Sequence, residues 1–205
     1  MDLPFQIAIL IMSVVIHEVS HGYAASYLGD DTARWQGRLT LNPFKHLDLV
    51  GSFLVPVVAY MTAGFIFGWA KPVPYNPYNL RPGRWSEAIV AGAGPVSNIF
   101  LAIVFGLILR AATASGASWA NESFVSITAI IVFINIVLAI FNLVPIPPLD
   151  GSKLLFAIFP ENSLRLRQFF EKYGLILVLF FIFFLWQYLF PLIVLIFKLI
   201  TGISF

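Results

Sequence analysis

Two of the chain's three histidines stand four residues apart beside a glutamate, in Val15-Ile16-His17-Glu18-Val19-Ser20-His21-Gly22. The run matches H-E-x-x-H. On a helix, positions i and i+4 share a face, so both imidazoles can reach one metal ion, and the glutamate beside the first can hold a water against it. The motif sits inside an apolar run, 3–28. Ionisable groups at membrane depth are costly and mark functional sites by default. Residue types, spacing and surroundings together point to metal-assisted hydrolysis in or at a bilayer.

Such a site needs a third protein ligand and one coordination position left open for water. His46 and Asp150 are the candidates. His46, in Asn42-Pro43-Phe44-Lys45-His46-Leu47-Asp48, reads more simply as an interfacial or hydrogen-bonding residue that orients the neighbouring loop. Asp150 lies in Asn142-Leu143-Val144-Pro145-Ile146-Pro147-Pro148-Leu149-Asp150-Gly151, where an apolar helix ends in a proline-rich turn. Proline holds the backbone there, so the aspartate can reach across to a neighbouring helix.

Together with the histidines, this stretch resembles the site-2 protease family of intramembrane zinc metalloproteases, in which H-E-x-x-H is paired with a distant Asn…Pro…Asp-Gly element. The spacing from Asn142 to Asp150 matches, and Gly92-Ala93-Gly94-Pro95-Val96-Ser97-Asn98 is similar to the glycine-rich segment that the family places on an intervening helix. The three motifs span residues 17–151, most of the 205-residue chain. The resemblance implies one Zn2+ per chain, bound by His17, His21 and Asp150. It implies Glu18 as general base on the attacking water, later returning the proton to the leaving amine. Asn142 is a candidate to bind substrate backbone or to steady the developing oxyanion. Asn98 and Asn135 read as interhelical hydrogen-bond formers, and Gly92 and Gly94 as positions of close helix packing.

Composition sets the environment. The chain is 60% hydrophobic and 11% charged, with a mean hydropathy of +0.90; soluble domains carry about 25% charged residues. An integral membrane protein follows. The net charge is only +2 and the basic residues are scattered over short loops, which argues for topology and against nucleic acid as a partner. Cysteine is absent, which excludes disulfides and thiolate metal ligands. The N-terminal apolar run carries the metal motif and lacks a basic leader and a cleavage site, so it reads as retained.

Apolar segments at 3–28, 50–69, 86–112, 124–143 and 173–198 each approach the roughly 20 residues that span a bilayer. Alternating residues around Gln36-Gly37 predict a short β-hairpin at 32–41. Its free edge could accept an unwound substrate segment, though a plain surface hairpin fits equally well. Residues 71–77 form a proline-stiffened extended loop, and 161–172 an interfacial amphipathic helix. If one metal takes ligands from both the first segment and the end of the fourth, those ends share a side of the membrane. Segment 50–69 then cannot cross; it is expected to be re-entrant, with Pro56 and Gly64 to break it. This arrangement puts ten of twelve basic residues on one face, leaving Arg110 and Lys198 at the other, whereas five plain spans divide them seven to five. The positive-inside rule favours the first.

The expectation is an all-α polytopic membrane protein with about four transmembrane helices, one re-entrant hydrophobic hairpin and a short β-hairpin at the cytosolic face. Residues 1–205 would form a single integral membrane metalloprotease domain in the cell membrane, with the zinc near the cytosolic side and both termini outside. Its partners would be the bilayer and a substrate membrane helix. The stretch 113–123 leaves no room for a substrate-filtering domain, so a regulatory partner protein, prior trimming or a homo-oligomer stay open as sources of selectivity. Two rivals are a divalent-metal transporter and a non-catalytic scaffold of the same fold. Too few histidines, converging at one depth, speak against the first, and an intact Glu18 against the second.

Overall fold

The computed structural model describes residues 3–48, 51, 61, 70–116, 119–159 and 164–203. Helix α1 is Leu3–Tyr27, and a single turn, α2, follows at Thr32–Trp35. Long helices α3 (Ser86–Ala114) and α4 (Glu122–Asn142) come next, then the short α5 (Gly151–Ile158). Helix α6 (Leu164–Phe180) continues through a π-helical turn at Phe181–Leu185 into α7 (Trp186–Thr201). Among the described residues, four helical stretches are long and apolar enough to cross a membrane: Pro4–Tyr27, Ser86–Ala114, Glu122–Asn142 and Arg167–Thr201. The chain is a multi-pass membrane protein.

Helix α3 is the hub. Its inner face is built from small residues, Ala88, Ala91, Gly94, Ala102, Gly106 and Ala112, which let neighbouring backbones approach where lipid supplies no hydrophobic drive for association. Ala102 packs with Val132 and Ile136 of α4 and with Ile193 and Phe197 of α7. Outward-facing Phe100, Leu107, Phe183 and Leu199 remain exposed, as lipid-facing side chains should.

Contacts fix the helix directions. His21 of α1 meets Val90 of α3, and Ser13 meets Asn98, so these two helices are antiparallel. Ala102 of α3 packs with Ile193 of α7, and Arg110 further along bonds the Leu199 carbonyl, so α3 and α7 run parallel. The C-terminal end of α1, the start of α3 and the turn after α4 therefore share one end of the bundle. The first residues of α1 and the last of α7 lie at the other.

Three expectations need revision or lie outside what is seen. No strand occurs among the described residues, and the expected β-hairpin at 32–41 is a helical turn. Its start is favoured by Asp30, whose carboxylate accepts from the Thr32 backbone N–H and hydroxyl, a local bond that competes with strand pairing. The Gln36-Gly37 pair is its cap: Gly37, at φ +62°, donates to the Arg34 carbonyl and Arg38 to that of Ala33, both at 2.9 Å. That is a Schellman closure, which wants a left-handed glycine as much as a hairpin does. The amphipathic helix expected at 161–172 is continuous with the last span from Leu164 onward. The re-entrant hairpin at 50–69 lies outside the described residues, except for Gly51 and Met61.

Candidate metal centre

Helix α1 carries His17, Glu18 and His21 about 9–15 Å in from its C-terminal end at 1.5 Å per residue. Asp150 arrives from the opposite side of the site. The turn after α4, which contains a cis peptide between Pro147 and Pro148, places it at the N-cap of α5. Gly151 is required there because a Cβ would overlap the Leu143 and Val144 carbonyls, so α5 packs directly on the last turn of α4.

The ligand atoms converge. Asp150 Oδ2 lies 3.1 Å from His17 Nε2 and 3.2 Å from His21 Nε2, and the two Nε2 atoms are 3.1 Å apart. Donors around a tetrahedral zinc stand about 3.3–3.6 Å apart for bonds of 2.0–2.2 Å, so the trio closes to within a few tenths of that figure. His17 Nδ1 donates to Asn98 Oδ1 at 2.6 Å and His21 Nδ1 to the Val90 carbonyl at 2.7 Å. With the ring protons held there, both Nε2 lone pairs face the carboxylate. Two lone pairs and a carboxylate at this separation repel unless positive charge lies among them, as ring protons or a metal ion. Burial pushes the Asp150 carboxyl up, but hydrogen bonds and positive charge from the imidazoles in their protonated form outweigh it and lower the group below the usual carboxylate range. It is the anion that a cation site needs.

Helix α3 keeps the space open. A Cβ on Gly94 would lie 2.5 Å from His21 Nε2 and 2.6 Å from His17 Nε2. Glycine is the one residue that leaves room for an ion beside those nitrogens. The donor set, its spacing and this cradle fit a divalent metal with one position free.

The sequence-derived candidates divide cleanly. His17, His21 and Asp150 form one group, and Glu18 and Asn142 line the same cavity of about 190 Å³. Asn142 spends one N–H on the Leu138 carbonyl of its own helix. His46 stands apart: its Nε2 donates to the Thr40 carbonyl at 2.8 Å, and its own carbonyl accepts from Lys71 N–H.

Several site residues carried no sequence signal of their own. The loop 70–81, irregular to Asn76 and then making a 3-10 turn at Pro77–Asn79, lies across the cavity and supplies Pro72, Val73 and Tyr75 to its lining. Val73 N–H donates to Glu18 Oε2 at 2.9 Å, fixing that carboxylate. The loop is pinned along its length. Arg38 holds the Lys71 and Pro72 carbonyls, Asp30 accepts from Asn76 N–H and Asn79 Nδ2, and Arg81 N–H donates to the Leu28 carbonyl. Lys153, one turn beyond Asp150, brings a cation to the same cavity and rests on the Tyr75 ring at 4.7 Å. Its i+3 spacing from Asp150 was the available clue.

Comparison with known proteins identifies the family. The model for peptidase family M50 matches residues 106–185. The "Putative zinc metalloprotease YwhC" of Bacillus subtilis is 38% identical over 187 residues, which cover 86% of this chain and 79% of that protein. The "Putative zinc metalloprotease Rip2" of Mycolicibacterium smegmatis is 31% identical over 143 residues, and that of Mycobacterium tuberculosis 28% over 147. Each Rip2 match covers 69% of this chain and 52% of the relative, so the chain spans about half of their length. No solved structure matches significantly. The chain belongs to peptidase family M50, the site-2 protease family, and is a membrane metalloprotease.

Proposed function

We propose that this protein is an intramembrane zinc endopeptidase that cuts transmembrane segments of other membrane proteins. The observation that carries the reading is the convergence of His17, His21 and Asp150 with the Glu18 carboxylate in one cavity, within the length of a membrane helix. His17, His21 and Asp150 would hold the metal. Zinc there would supply a Lewis acid and lower the pKa of water toward about 7. Glu18, steadied by Val73 N–H, takes the proton of the attacking water and passes it to the leaving amine. The second N–H of Asn142 and the Lys153 ammonium are candidate donors for a peptide oxygen that gains negative charge. A helical substrate must unwind to reach them, because its carbonyls are otherwise already paired.

The finer topology belongs to the same reading. Residues 1–205 act as one domain in the cell membrane, with the metal near the cytosolic side and both termini outside. The His46 carbonyl accepts from Lys71 N–H at 2.8 Å, which puts these two residues at the same end of the bundle as the site. Substrate choice would rest with a partner protein, prior trimming or self-association.

Glu18→Gln tests the chemistry. It should keep wild-type zinc content and lose cleavage of a co-expressed membrane substrate by a factor of at least about 100. Undiminished cleavage would remove Glu18 from its assigned role, whereas metal flux surviving in the variant would favour a transporter.

A further inference from the structure

Four polar side chains lie buried side by side at membrane depth: Ser13, His17, Asn98 and Asn135, none more than 5% exposed. Unpaired, each would cost several kcal/mol in an apolar setting. Their pairing forms a closed ring. His17 Nδ1 donates to Asn98 Oδ1 at 2.6 Å, Asn98 Nδ2 to Asn135 Oδ1 at 2.8 Å, and Asn135 Nδ2 to Ser13 Oγ at 3.0 Å. Ser13 is one turn before His17 on α1. The ring thus leaves α1, passes through α3 and α4, and returns to α1.

The polarity of this ring runs one way. An asparagine amide has one accepting end and one donating end. Asn135 commits its donors to Ser13 Oγ and, at 2.8 Å, to the Ile131 carbonyl, so its oxygen must face Asn98. Asn98 then turns its NH2 to Asn135, with a weaker bond to the Ser13 carbonyl at 3.4 Å, and its oxygen to His17. The proton of His17 is thereby fixed on Nδ1 and its Nε2 lone pair is aimed at His21 and Asp150. None of the three partners can ionise, so the orientation is held without adding charge. His21 differs: its Nδ1 bonds a backbone carbonyl, Val90, which no side-chain substitution removes.

We infer that Asn98 is a positioning residue for His17, kept in orientation by Asn135 and Ser13, and that this ring sets how tightly the centre holds its metal. The inference rests on the reading of His17, His21 and Asp150 as metal ligands. Partners of this kind typically account for 10–100-fold in metal affinity.

The test is Co2+ and Zn2+ binding by the full chain in detergent, in competition with a chromophoric chelator, alongside the thermal midpoint with and without metal. Asn98→Leu should weaken both metals by roughly 10–100-fold and shrink the metal-induced rise in midpoint. Asn98→Asp, which keeps an accepting oxygen for His17, should recover most of the affinity. If Asn98→Leu lowers the metal-free midpoint but binds metal within about twofold of wild type, the residue is interhelical glue and the inference is overturned. Should that variant not accumulate, Asn135→Leu carries the test: it frees the Asn98 amide to rotate and should weaken binding several-fold, with unchanged affinity again decisive against the ring. His17→Ala separates the two layers. Wild-type binding by that variant would overturn the ligand assignment itself, whereas loss there with normal binding by the asparagine variants would overturn the ring alone.

Discussion

Two alanine substitutions two residues apart on α3 should have opposite outcomes. In a helix interior, Gly→Ala ordinarily stabilises by about 0.5–1 kcal/mol. At Gly92 nothing opposes this, since a Cβ would find Leu154 Cδ2 at 3.9 Å, an ordinary contact. At Gly94 the Cβ would stand 2.5–2.6 Å from His21 Nε2 and His17 Nε2, short of normal contact by about 1 Å. Neither side can give. One is helix backbone, and the other is a pair of rings held by Asn98, Val90 and Asp150. Overpacking of this kind costs about 1–3 kcal/mol, partly offset by the propensity gain of about 0.5–1 kcal/mol, so Gly94→Ala should fold with a net loss of at most about 2.5 kcal/mol. Its centre should not survive, because the methyl takes the space beside both nitrogens. Gly92→Ala should therefore keep wild-type zinc and cleavage with an equal or higher thermal midpoint. Gly94→Ala should lose at least about 100-fold in zinc affinity, and cleavage with it. Zinc content by elemental analysis and Co2+ titration on the same preparations decide it. Wild-type metal binding by Gly94→Ala would refute the close approach of α3 on which the cradle rests.

Gly151→Ala places a methyl against the Leu143 and Val144 carbonyls, so it should lower stability by about 1–3 kcal/mol and move Asp150, read as a lower midpoint and weaker zinc binding together. Asp30 is buried, which raises its pKa, but hydrogen bonds from Thr32, Asn76 and Asn79 outweigh that and hold it below its ordinary 3.8. Its stabilisation is therefore complete above about pH 4 and lost as pH falls through the lowered folded value. Asp30→Asn should be less stable than wild type at pH 7 by about 1–3 kcal/mol, with the gap closing in acid; a gap that stays constant from pH 7 to 3 in thermal unfolding would count against it. A single cysteine at Ala63, in a chain that has none, should resist an impermeant thiol reagent applied from outside intact cells, and labelling from that side alone would dismiss a re-entrant 50–69.

What could be read without coordinates was what is local. The H-E-x-x-H spacing and the Asp-Gly after a proline turn are short-range patterns whose geometry follows from helix periodicity and proline stiffness. Helices α1, α3 and α4 were legible because bilayer crossing demands long apolar runs. The 32–41 stretch was misread because a glycine after glutamine signals a left-handed residue, and both a hairpin and a Schellman cap need one. What decided between them was Asp30, two residues before Thr32. Val73 and the partnership of Asn98 with His17 were not legible, since each joins segments far apart in the chain (Val73 to Glu18 across 55 residues), while Lys153 left only its i+3 spacing from Asp150 as a trace.

The backbone bond between His46 and Lys71 marks where the loop over the site begins, and that loop is fastened from Lys71 onward. Its fastenings, Leu28, Asp30 and Arg38, all belong to the stretch that directly follows α1. The strap across Glu18 is thus tied to the tail of the very helix that carries the histidines. A disturbance at Asp30 or Arg38 should therefore reach the Glu18 carboxylate by way of Val73, without any metal ligand being touched.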